Sequence, residues 1–240
     1  MSSGRFFMTR ELMQNTKLKE RFCSAMPLIG DAAPSFTAET TKGKINFPED
    51  YAGKWVILFS HPADFTPVCT SELFTFAQMT EEFRALDTEL VGLSVDSVSS
   101  HLAWLKSIEE DVRFNGQQKV KIDYPVIADI KMAVAKQYGM IHPSASDTKA
   151  IRAVFFIDPQ AVIRAILYYP LSTGRNFQEL KRLLIALQTT DEYHVSTPAN
   201  WQPGEDVVVS APTTLSELAA EKNKKDGCEC STWYFCTKKI

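Results

Sequence analysis

The sequence has no apolar run long enough to cross a bilayer, which needs ~18 uninterrupted residues. Its best apolar stretch, Ala153–Leu171, is broken by Asp158, Pro159, Gln160 and Arg164. A basic surplus is also missing, because 26 Lys and Arg stand against 29 Asp and Glu, for a net charge of −3. Nucleic-acid binding, which relies on such a surplus, is therefore not indicated. We expect neither a nucleic-acid nor a membrane partner.

Cysteine is scarce and odd in number, with five residues in 240: Cys23, Cys69, Cys228, Cys230 and Cys236. A secreted disulfide framework would need more cysteines and an even count. At the N-terminus, Phe6, Phe7 and Met8 are followed by charged residues, which is not the pattern of a secretory signal. We therefore expect a cytoplasmic protein whose thiols are reactive or metal-binding rather than structural.

The composition is that of a globular protein, with 45% hydrophobic and 23% charged residues, and three segments differ in texture. Residues 1–26 form a slightly basic extension in which we expect a short helix around Glu11–Cys23. Residues 27–190 alternate strand-like and helix-like patterns and are expected to form the main domain. Residues 191–240 contain scattered prolines and are expected to form a C-terminal arm.

Apolar patterns predict the elements of the main domain. Trp55–Phe59 is a continuous apolar run rich in β-branched and aromatic residues, typical of a strand covered on both faces. Apolar residues three and four apart predict helices over Leu73–Leu86 and 98–110, and Asn176 is placed to cap a third helix. The other predicted strands are Leu90–Ser94, Tyr124–Ala128, Ala153–Ile157 and Val162–Tyr168. This alternation predicts an α/β fold with helices flanking a central mixed sheet.

Cys69 is the residue with the clearest chemical potential. It follows a predicted buried strand and a Pro-containing loop and falls at the first turn of a predicted helix. The unpaired N–H groups of a helix start are electropositive and favour the thiolate, which is the nucleophilic form of cysteine. A lone cysteine is more often a small buried apolar residue, so position alone leaves both interpretations open.

The residues around Cys69 resemble a known family. Pro62–Cys69 reads P-x-x-x-T-x-x-C, which resembles the active-site signature of the peroxiredoxins. The wider segment Ser60–Leu73 resembles the branch that holds the 1-Cys enzymes and the archaeal-type thioredoxin peroxidases. Further resemblance lies at Leu93–Ser97 with His101–Trp104, at Leu167–Phe177 and at Thr197–Trp201. The resemblance implies a thioredoxin-like fold and a thiol peroxidase.

Several polar and loop residues acquire expected roles from this resemblance. It implies that Thr66 hydrogen-bonds the Cys69 sulfur and the incoming peroxide, and that Pro62 shields the sulfur without offering a competing N–H donor. Without it, each would be an ordinary loop residue. His61 also matches the branch, and we expect a minor role for it at most.

Charged residues are assigned by the same resemblance. It implies that Arg152 is the active-site arginine, whose permanent charge stabilises both the thiolate and the developing oxyanion. Arg175 is implied as a second, supporting arginine, and Glu72 as an acid that orients one of the two. Taken singly, the arginines would be solvated surface charges, and Glu72 would be a first-turn acid that favours the helix dipole.

The C-terminal cysteines allow several interpretations. The spacing of Cys230 and Cys236 around Trp233–Phe235 resembles the cysteine pair of archaeal-type peroxiredoxins, which implies that Cys236 resolves the oxidised Cys69 across a dimer interface with Cys230 as its helper. Cys228 and Cys23 have no counterpart. A zinc site on Cys228, Cys230 and Cys236 is the rival interpretation, although the spacing is poor and a fourth ligand is missing. Idle thiols on a solvated tail are the third.

The expected reaction needs no cofactor and no metal ion. The thiolate attacks hydrogen peroxide or an organic hydroperoxide and becomes a sulfenic acid, which a second thiol resolves and a thioredoxin-like or other thiol donor recycles. The family implies a homodimer, paired through the strand Val162–Tyr168, that assembles into a decameric ring. The alternative function is a peroxide sensor or holdase chaperone that uses the same cysteine without turnover.

Overall fold

The computed structural model of the chain describes residues 26–221 and 227–240. Cys23 and the helix expected around Glu11–Cys23 lie outside the described residues. The chain divides into two compact units, one up to Arg175 and the other from Asn176 onward. The division expected at residues 26 and 190 stays a prediction. No described helix combines the length and the apolar character that a bilayer crossing would need.

The first unit contains nine strands and three helices among its described residues. The strands are β1 (Phe36–Thr40), β2 (Gly43–Phe47), β3 (Trp55–Ser60), β4 (Thr88–Ser94), β5 (Arg113–Phe114), β6 (Gln117–Gln118), β7 (Val126–Ala128), β8 (Arg152–Ile157) and β9 (Ile163–Tyr169). The helices are α1 (Pro67–Arg84), α2 (Val98–Asp111) and α3 (Ala133–Gln137), and a short 3-10 turn covers Glu49–Tyr51. The mixed arrangement of strands and helices predicted from the sequence is confirmed.

Seven of these strands form one sheet in the order β2-β1-β7-β4-β3-β8-β9. The central strands β3, β4 and β7 are parallel, whereas β8 pairs antiparallel with β3 and β9 antiparallel with β8. The start of β8 therefore lies beside the end of β3. This topology brings Arg152 to the edge of the sheet at which the chain leaves β3 for Cys69.

Strand β3 is buried along its whole length, which explains its continuous apolar run. Val56 and Leu58 join the core cluster on one side of the sheet, together with residues such as Tyr138 near the end of α3. Phe59 stacks at 4.2 Å on Phe76 of α1. Both faces of the strand are thus covered by apolar side chains.

The second unit contains helices α4 (Phe177–Tyr193) and α5 (Leu215–Glu221) and a three-stranded sheet. The Asn176 side chain accepts a hydrogen bond from the Glu179 N–H at 3.2 Å, so the predicted N-cap of α4 is confirmed. The sheet strands are β10 (Val207–Val208), β11 (Cys228–Thr232) and β12 (Phe235–Lys238), in the order β10-β12-β11. Strand β12 is therefore paired on both sides, and β11 is an edge strand.

Besides the short hairpin of β5 and β6, two longer hairpins were missing from the elements predicted from the sequence. Strands β1 and β2 form the first, and their exposed and buried residues alternate, so no continuous apolar run marks them. Strands β11 and β12 form the second, where Cys230 stands directly opposite Cys236. Both hairpins are recognised through their pairing partners rather than through a local apolar pattern.

Candidate active site

Cys69 is the third residue of α1 and is fully buried. Thr66 is the N-cap residue in an extended conformation, and Pro67 occupies the first position of the helix, where a missing N–H costs nothing. The thiol therefore lies within the first turn, among backbone N–H groups that have no partner inside the helix. The sequence-based placement of Cys69 at a helix start is confirmed.

Arg152 contacts the Cys69 sulfur directly. Its Nη1 lies 3.3 Å from Sγ, and its Nε and Nη2 donate to the Leu171 carbonyl at 3.1 and 2.7 Å. The guanidinium is buried at 2% exposure. The guanidinium therefore places a fixed positive charge, shielded from water, directly against the sulfur.

Glu72 joins the two buried arginines into one network. Its Oε2 accepts from Arg152 Nη1 at 2.7 Å and from Arg175 Nη2 at 2.6 Å, while its Oε1 accepts from Arg175 Nε and from the Arg175 backbone N–H, both at 2.9 Å. Burial opposes ionisation of Glu72, but the two guanidiniums outweigh it and hold the pKa of the carboxyl below its ordinary value of 4.5. Glu72 therefore carries the negative charge that keeps two buried cations in place.

Arg175 supports this network through hydrogen bonds to Glu72 and to backbone carbonyls, and none of its hydrogen bonds goes to the Cys69 sulfur. Its Nη1 donates to the carbonyls of Ser60 and Ala153 at 3.0 and 3.1 Å. Its guanidinium also lies over the rings of Phe59 and Phe76, 5.4 and 5.8 Å from their centroids. The side chain thus ties the ends of β3 and β8 to α1 from within the core.

The loop from β3 to α1 holds the two other expected residues. Pro62 is buried, and Thr66 is half-buried beside the helix start. The Thr66 hydroxyl donates to the Ala63 carbonyl at 2.9 Å rather than to the sulfur, so its oxygen lone pairs remain as acceptors. Phe65, between them, has a left-handed φ of 54°, a strained conformation for a bulky residue that the surrounding loop must maintain.

His61, Asp64 and His101 form a second polar group, which the sequence patterns did not reveal as a unit. His61 Nε2 lies 3.1 Å from Asp64 Oδ1, and His101 Nδ1 lies 2.8 Å from Asp64 Oδ2. All three side chains are almost fully buried. Asp64 follows β3 and His101 follows β4, and neighbouring parallel strands bring their carboxyl ends to one edge of the sheet. The rule that residues after neighbouring parallel strands meet at one sheet edge could have indicated this cluster from the sequence.

The hydrogen-bond partners define the protonation of His61. Because Nε2 donates to the ionised Asp64 carboxylate, Nδ1 carries the lone pair, and it has no hydrogen-bond partner among the described residues. Burial lowers the pKa of His61 below 6.5, although Asp64 opposes this effect. The pKa of Asp64 is also lowered, because the hydrogen bonds from His101 and His61 outweigh the burial that favours its neutral form. His61 is accordingly a neutral imidazole whose Nδ1 lone pair is buried and has no partner among the described residues.

This group is also the one cluster within residues 26–221 and 227–240 whose His, Cys, Asp or Glu donor atoms lie close enough to share a metal ion. Its donor atoms already bond to one another, and the second ring nitrogen of His101 bonds to the Ile127 carbonyl at 3.1 Å. The contacts present are therefore those of a buried hydrogen-bonded relay that orients two imidazoles.

The C-terminal cysteines lie in the second unit. Cys230 and Cys236 form a disulfide between β11 and β12, which leaves neither as a free thiolate for zinc. Cys228 is a free thiol of intermediate exposure on the same strand as Cys230. Cys69 is the other free cysteine among the described residues.

A buried cysteine at a helix start, held beside a buried guanidinium at the edge of a mixed sheet, defines a thiol-based oxidoreductase of thioredoxin-like fold. The sequence model of the AhpC/TSA family matches residues 29–166, and that of the C-terminal domain of 1-Cys peroxiredoxin matches residues 186–224. The chain therefore belongs to the peroxiredoxins, and it is a peroxidase that reduces peroxides. The family and fold expected from the sequence are confirmed.

Known peroxiredoxins are similar to this chain over most of its length. A peroxiredoxin of Methanosarcina mazei is 61% identical over 215 residues, which cover 89% of this chain and 98% of the relative. One of Aquifex aeolicus is 48% identical over 226 residues, with 90% and 98% covered. The structure of a yeast mitochondrial 1-Cys peroxiredoxin is 38% identical, with a TM-score of 0.77, and covers 90% of this chain and 100% of its own. Peroxiredoxin 6 of Arenicola marina is 33% identical with a TM-score of 0.78, and covers 88% and 97%.

Proposed function

We propose that Cys69 is the peroxide-reducing nucleophile of this peroxidase. The observation that carries the proposal is the 3.3 Å contact between Arg152 Nη1 and the Cys69 sulfur. The thiolate sulfur attacks the terminal peroxide oxygen, the O–O bond breaks, and the leaving oxygen takes up a proton. The products are a sulfenic acid at Cys69 and water or an alcohol.

Arg152 and Thr66 are the residues that touch the reacting atoms in this scheme. Arg152 stabilises the thiolate and then the charge that develops on the leaving oxygen. The free lone pairs of the Thr66 hydroxyl accept a hydrogen bond from the protonated peroxide oxygen. Pro62 keeps water from the sulfur, since it is buried in the same loop and has no N–H.

Glu72 and Arg175 are positioning residues. Glu72 orients the Arg152 fork through the 2.7 Å hydrogen bond and is itself held by Arg175. A carboxylate shared by two guanidiniums leaves a net positive charge near the sulfur. This arrangement orients Arg152 without neutralising its effect on the thiolate.

Resolution of the sulfenic acid is assigned to the C-terminal pair. Cys236, from the second subunit of a homodimer, attacks the Cys69 sulfur, and water leaves. Cys230 then attacks Cys236, which releases Cys69 and forms the Cys230–Cys236 disulfide. A thioredoxin-like or other thiol donor reduces this disulfide; the yeast relative is described as resolved through glutathione and thioredoxin systems.

The proposed assembly is a homodimer that associates into a decameric ring. Strand β9 ends the seven-stranded sheet, and a terminal strand is a common site for pairing with a second copy. A cytoplasmic location stays a prediction from the cysteine content and the N-terminal residues.

Peroxide consumption with a thioredoxin-type donor tests the enzyme proposal. Cys69→Ser abolishes turnover, because serine is too weak a nucleophile, whereas Cys228→Ser serves as the matched control and keeps it. Turnover retained in Cys69→Ser would exclude Cys69 as the nucleophile. Oxidation of Cys69 without sustained turnover in the wild type would favour the sensor or holdase function instead.

Peptide mapping without reductant tests the resolution step. After brief peroxide treatment of a Cys230→Ser variant, which cannot complete the exchange, we expect a Cys69–Cys236 disulfide between two chains. Finding Cys69 only as free sulfenic or sulfinic acid would contradict the assignment of Cys236 while leaving that of Cys69 intact.

A further inference from the structure

The two cysteines of the C-terminal disulfide differ in their exposure to solvent. Cys230 belongs to the edge strand β11 and is exposed. Cys236 belongs to β12, the central strand of the three, and is 1% exposed. Its backbone carbonyl accepts from Val209 N–H at 3.0 Å, and its sulfur lies 3.5 Å from the Thr232 carbonyl oxygen. One disulfide therefore has an open end and a covered end.

Exchange chemistry depends on that difference. A thiolate must approach the attacked sulfur from the side opposite the bond that breaks, so the accessible sulfur is attacked and the other leaves. Cys236, at 1% exposure, offers a protein thiol no open approach in this arrangement of the hairpin. The same thiol can approach Cys230 from the free edge of β11.

We infer that the reducing donor enters at Cys230 and that Cys236 is the first thiol released. The donor thiolate forms a bond to the Cys230 sulfur, the Cys230–Cys236 bond breaks, and Cys236 leaves as a thiolate that takes up a proton. The second donor thiol then attacks its own mixed disulfide, which releases Cys230. The dithiol donor loses two electrons, and the disulfide gains them.

The partner implied by this site is a protein dithiol. Trp233, Tyr234 and Phe235, at the turn of the same hairpin, are 56%, 57% and 46% exposed. They provide an apolar contact surface close to the exposed sulfur, which a small thiol would not need. The inference rests on the proposed function, because it assigns the order in which that function recovers its two thiols. Cys236, the proposed resolving residue, is recovered first.

Trapping the mixed disulfide tests the order of attack. The Cys228→Ser variant, which removes exchange with the neighbouring thiol, is oxidised with diamide so that the disulfide forms without any step at Cys69. It then reacts with a thioredoxin whose second active-site cysteine is replaced by serine. After acid quenching and alkylation, chymotrypsin cleaves between Cys230 and Cys236 at the aromatic residues, and mass spectrometry locates the donor. We expect it on Cys230, in excess of about tenfold, with the alkyl group on Cys236.

The same reaction in urea is the control, because unfolding exposes both sulfurs and brings the ratio close to about one to one. A folded protein that carries the donor on Cys236, or on both sulfurs about equally, overturns the inference. The proposed function is tested separately by treating the reduced protein with peroxide. If peroxide fails to produce the Cys230–Cys236 disulfide, the resolution scheme fails, whereas the diamide experiment still decides which sulfur the donor attacks.

Discussion

At the residue scale, the sulfur proposed to react with peroxide lies at the end of a chain of buried charges. Arg152 contacts Cys69, Glu72 bridges Arg152 to Arg175, and Arg175 reaches back to Ser60 at the end of β3. Buried charges are tolerated only when each is paired and hydrogen-bonded. Removing one member therefore leaves the others uncompensated, and we expect both stability and the proposed reactivity of Cys69 to depend on the Glu72 carboxylate.

Glu72→Gln tests this dependence. The neutral amide leaves two buried guanidiniums without a counter-charge, so we expect the free energy of unfolding to fall by about 3–5 kcal/mol. Second-order peroxide reduction also slows, because Arg152 loses its orientation. Urea unfolding and stopped-flow oxidation measure the two effects. The control is Glu81→Gln on the same helix. Glu81 forms an exposed ion pair with Arg84, so we expect this substitution to lower the free energy of unfolding by less than about 1 kcal/mol. Equal losses in the two variants would contradict the prediction.

Acidification destabilises the protein in two pH windows. The pKa of His61 is lowered from 6.5 in the folded state, so the unfolded chain binds a proton first as the pH falls below 6.5, and stability declines. The pKa of Glu72 is lowered from 4.5, so its contribution is fully present above pH 4.5 and is lost below it. Urea unfolding at a series of pH values measures both slopes. Glu72→Gln reduces the slope in the lower window, to which Asp64 also contributes because its pKa is lowered, and leaves the upper one. Stability that rises on acidification would refute the assignment.

At the element scale, helix starts place the polar groups of the site. Thr66 begins α1 without a side-chain cap, which leaves the first-turn N–H groups available around Cys69. Ser97, in contrast, caps α2 by accepting from the Ser100 N–H at 3.1 Å. Because α2 holds His101 and Trp104 against the loop that leads to Cys69, its first turn supports the relay next to the site.

Ser97→Ala measures the contribution of this cap. Alanine cannot accept the Ser100 hydrogen bond, so we expect unfolding to require about 1 kcal/mol less free energy. Ser99→Ala, an exposed position inside the same helix, is the matched control and leaves stability unchanged or slightly higher, since alanine favours helices. Thermal or urea denaturation compares the variants. If Ser97→Ala were as stable as Ser99→Ala, the cap hydrogen bond would contribute nothing to the free energy of unfolding.

At the scale of the whole molecule, the chemistry is divided between two compact units. Cys69 and its charge network belong to the first, and the cysteine pair belongs to the second. In the proposed scheme, oxidation of Cys69 uses residues of the first unit, whereas recovery of the thiol uses the cysteine pair of the second. The two steps can therefore be separated experimentally.

The double variant Cys230→Ser/Cys236→Ser separates them. Its first unit is unchanged, so we expect one equivalent of peroxide to be consumed at the wild-type rate. Turnover with a dithiol protein donor then stops, and Cys69 advances to the sulfinic acid under excess peroxide because no thiol resolves it. Peroxide stoichiometry and intact mass check these outcomes. The Cys228→Ser variant is the control, and sustained turnover in the double variant would remove the C-terminal pair from the cycle.

Local signals account for the parts of the fold that were predicted correctly. Strand β3 is buried on both faces, so its residues from Trp55 to Phe59 form a continuous apolar run. The cap of α4 depends on a hydrogen bond between residues only three positions apart. The hairpin β1–β2 escaped prediction because its pattern alternates and its stability comes from pairing. The cluster of His61, Asp64 and His101 was not predicted, because His101 lies 37 residues from Asp64 in the sequence and contacts it only in the folded sheet.

By itself, the sequence determined the main strands and helices, the position of Cys69 at a helix start and, through its resemblance, the peroxiredoxin family. These follow from short-range periodicity, capping and motif residues. Only the tertiary structure decided that Glu72 bridges two arginines and that Cys236 is covered while Cys230 is open. It also decided that His61 Nδ1 has no hydrogen-bond partner within residues 26–221 and 227–240. The reason is physical: charge pairing and solvent access are properties of neighbours in space, which the order of residues along the chain does not contain.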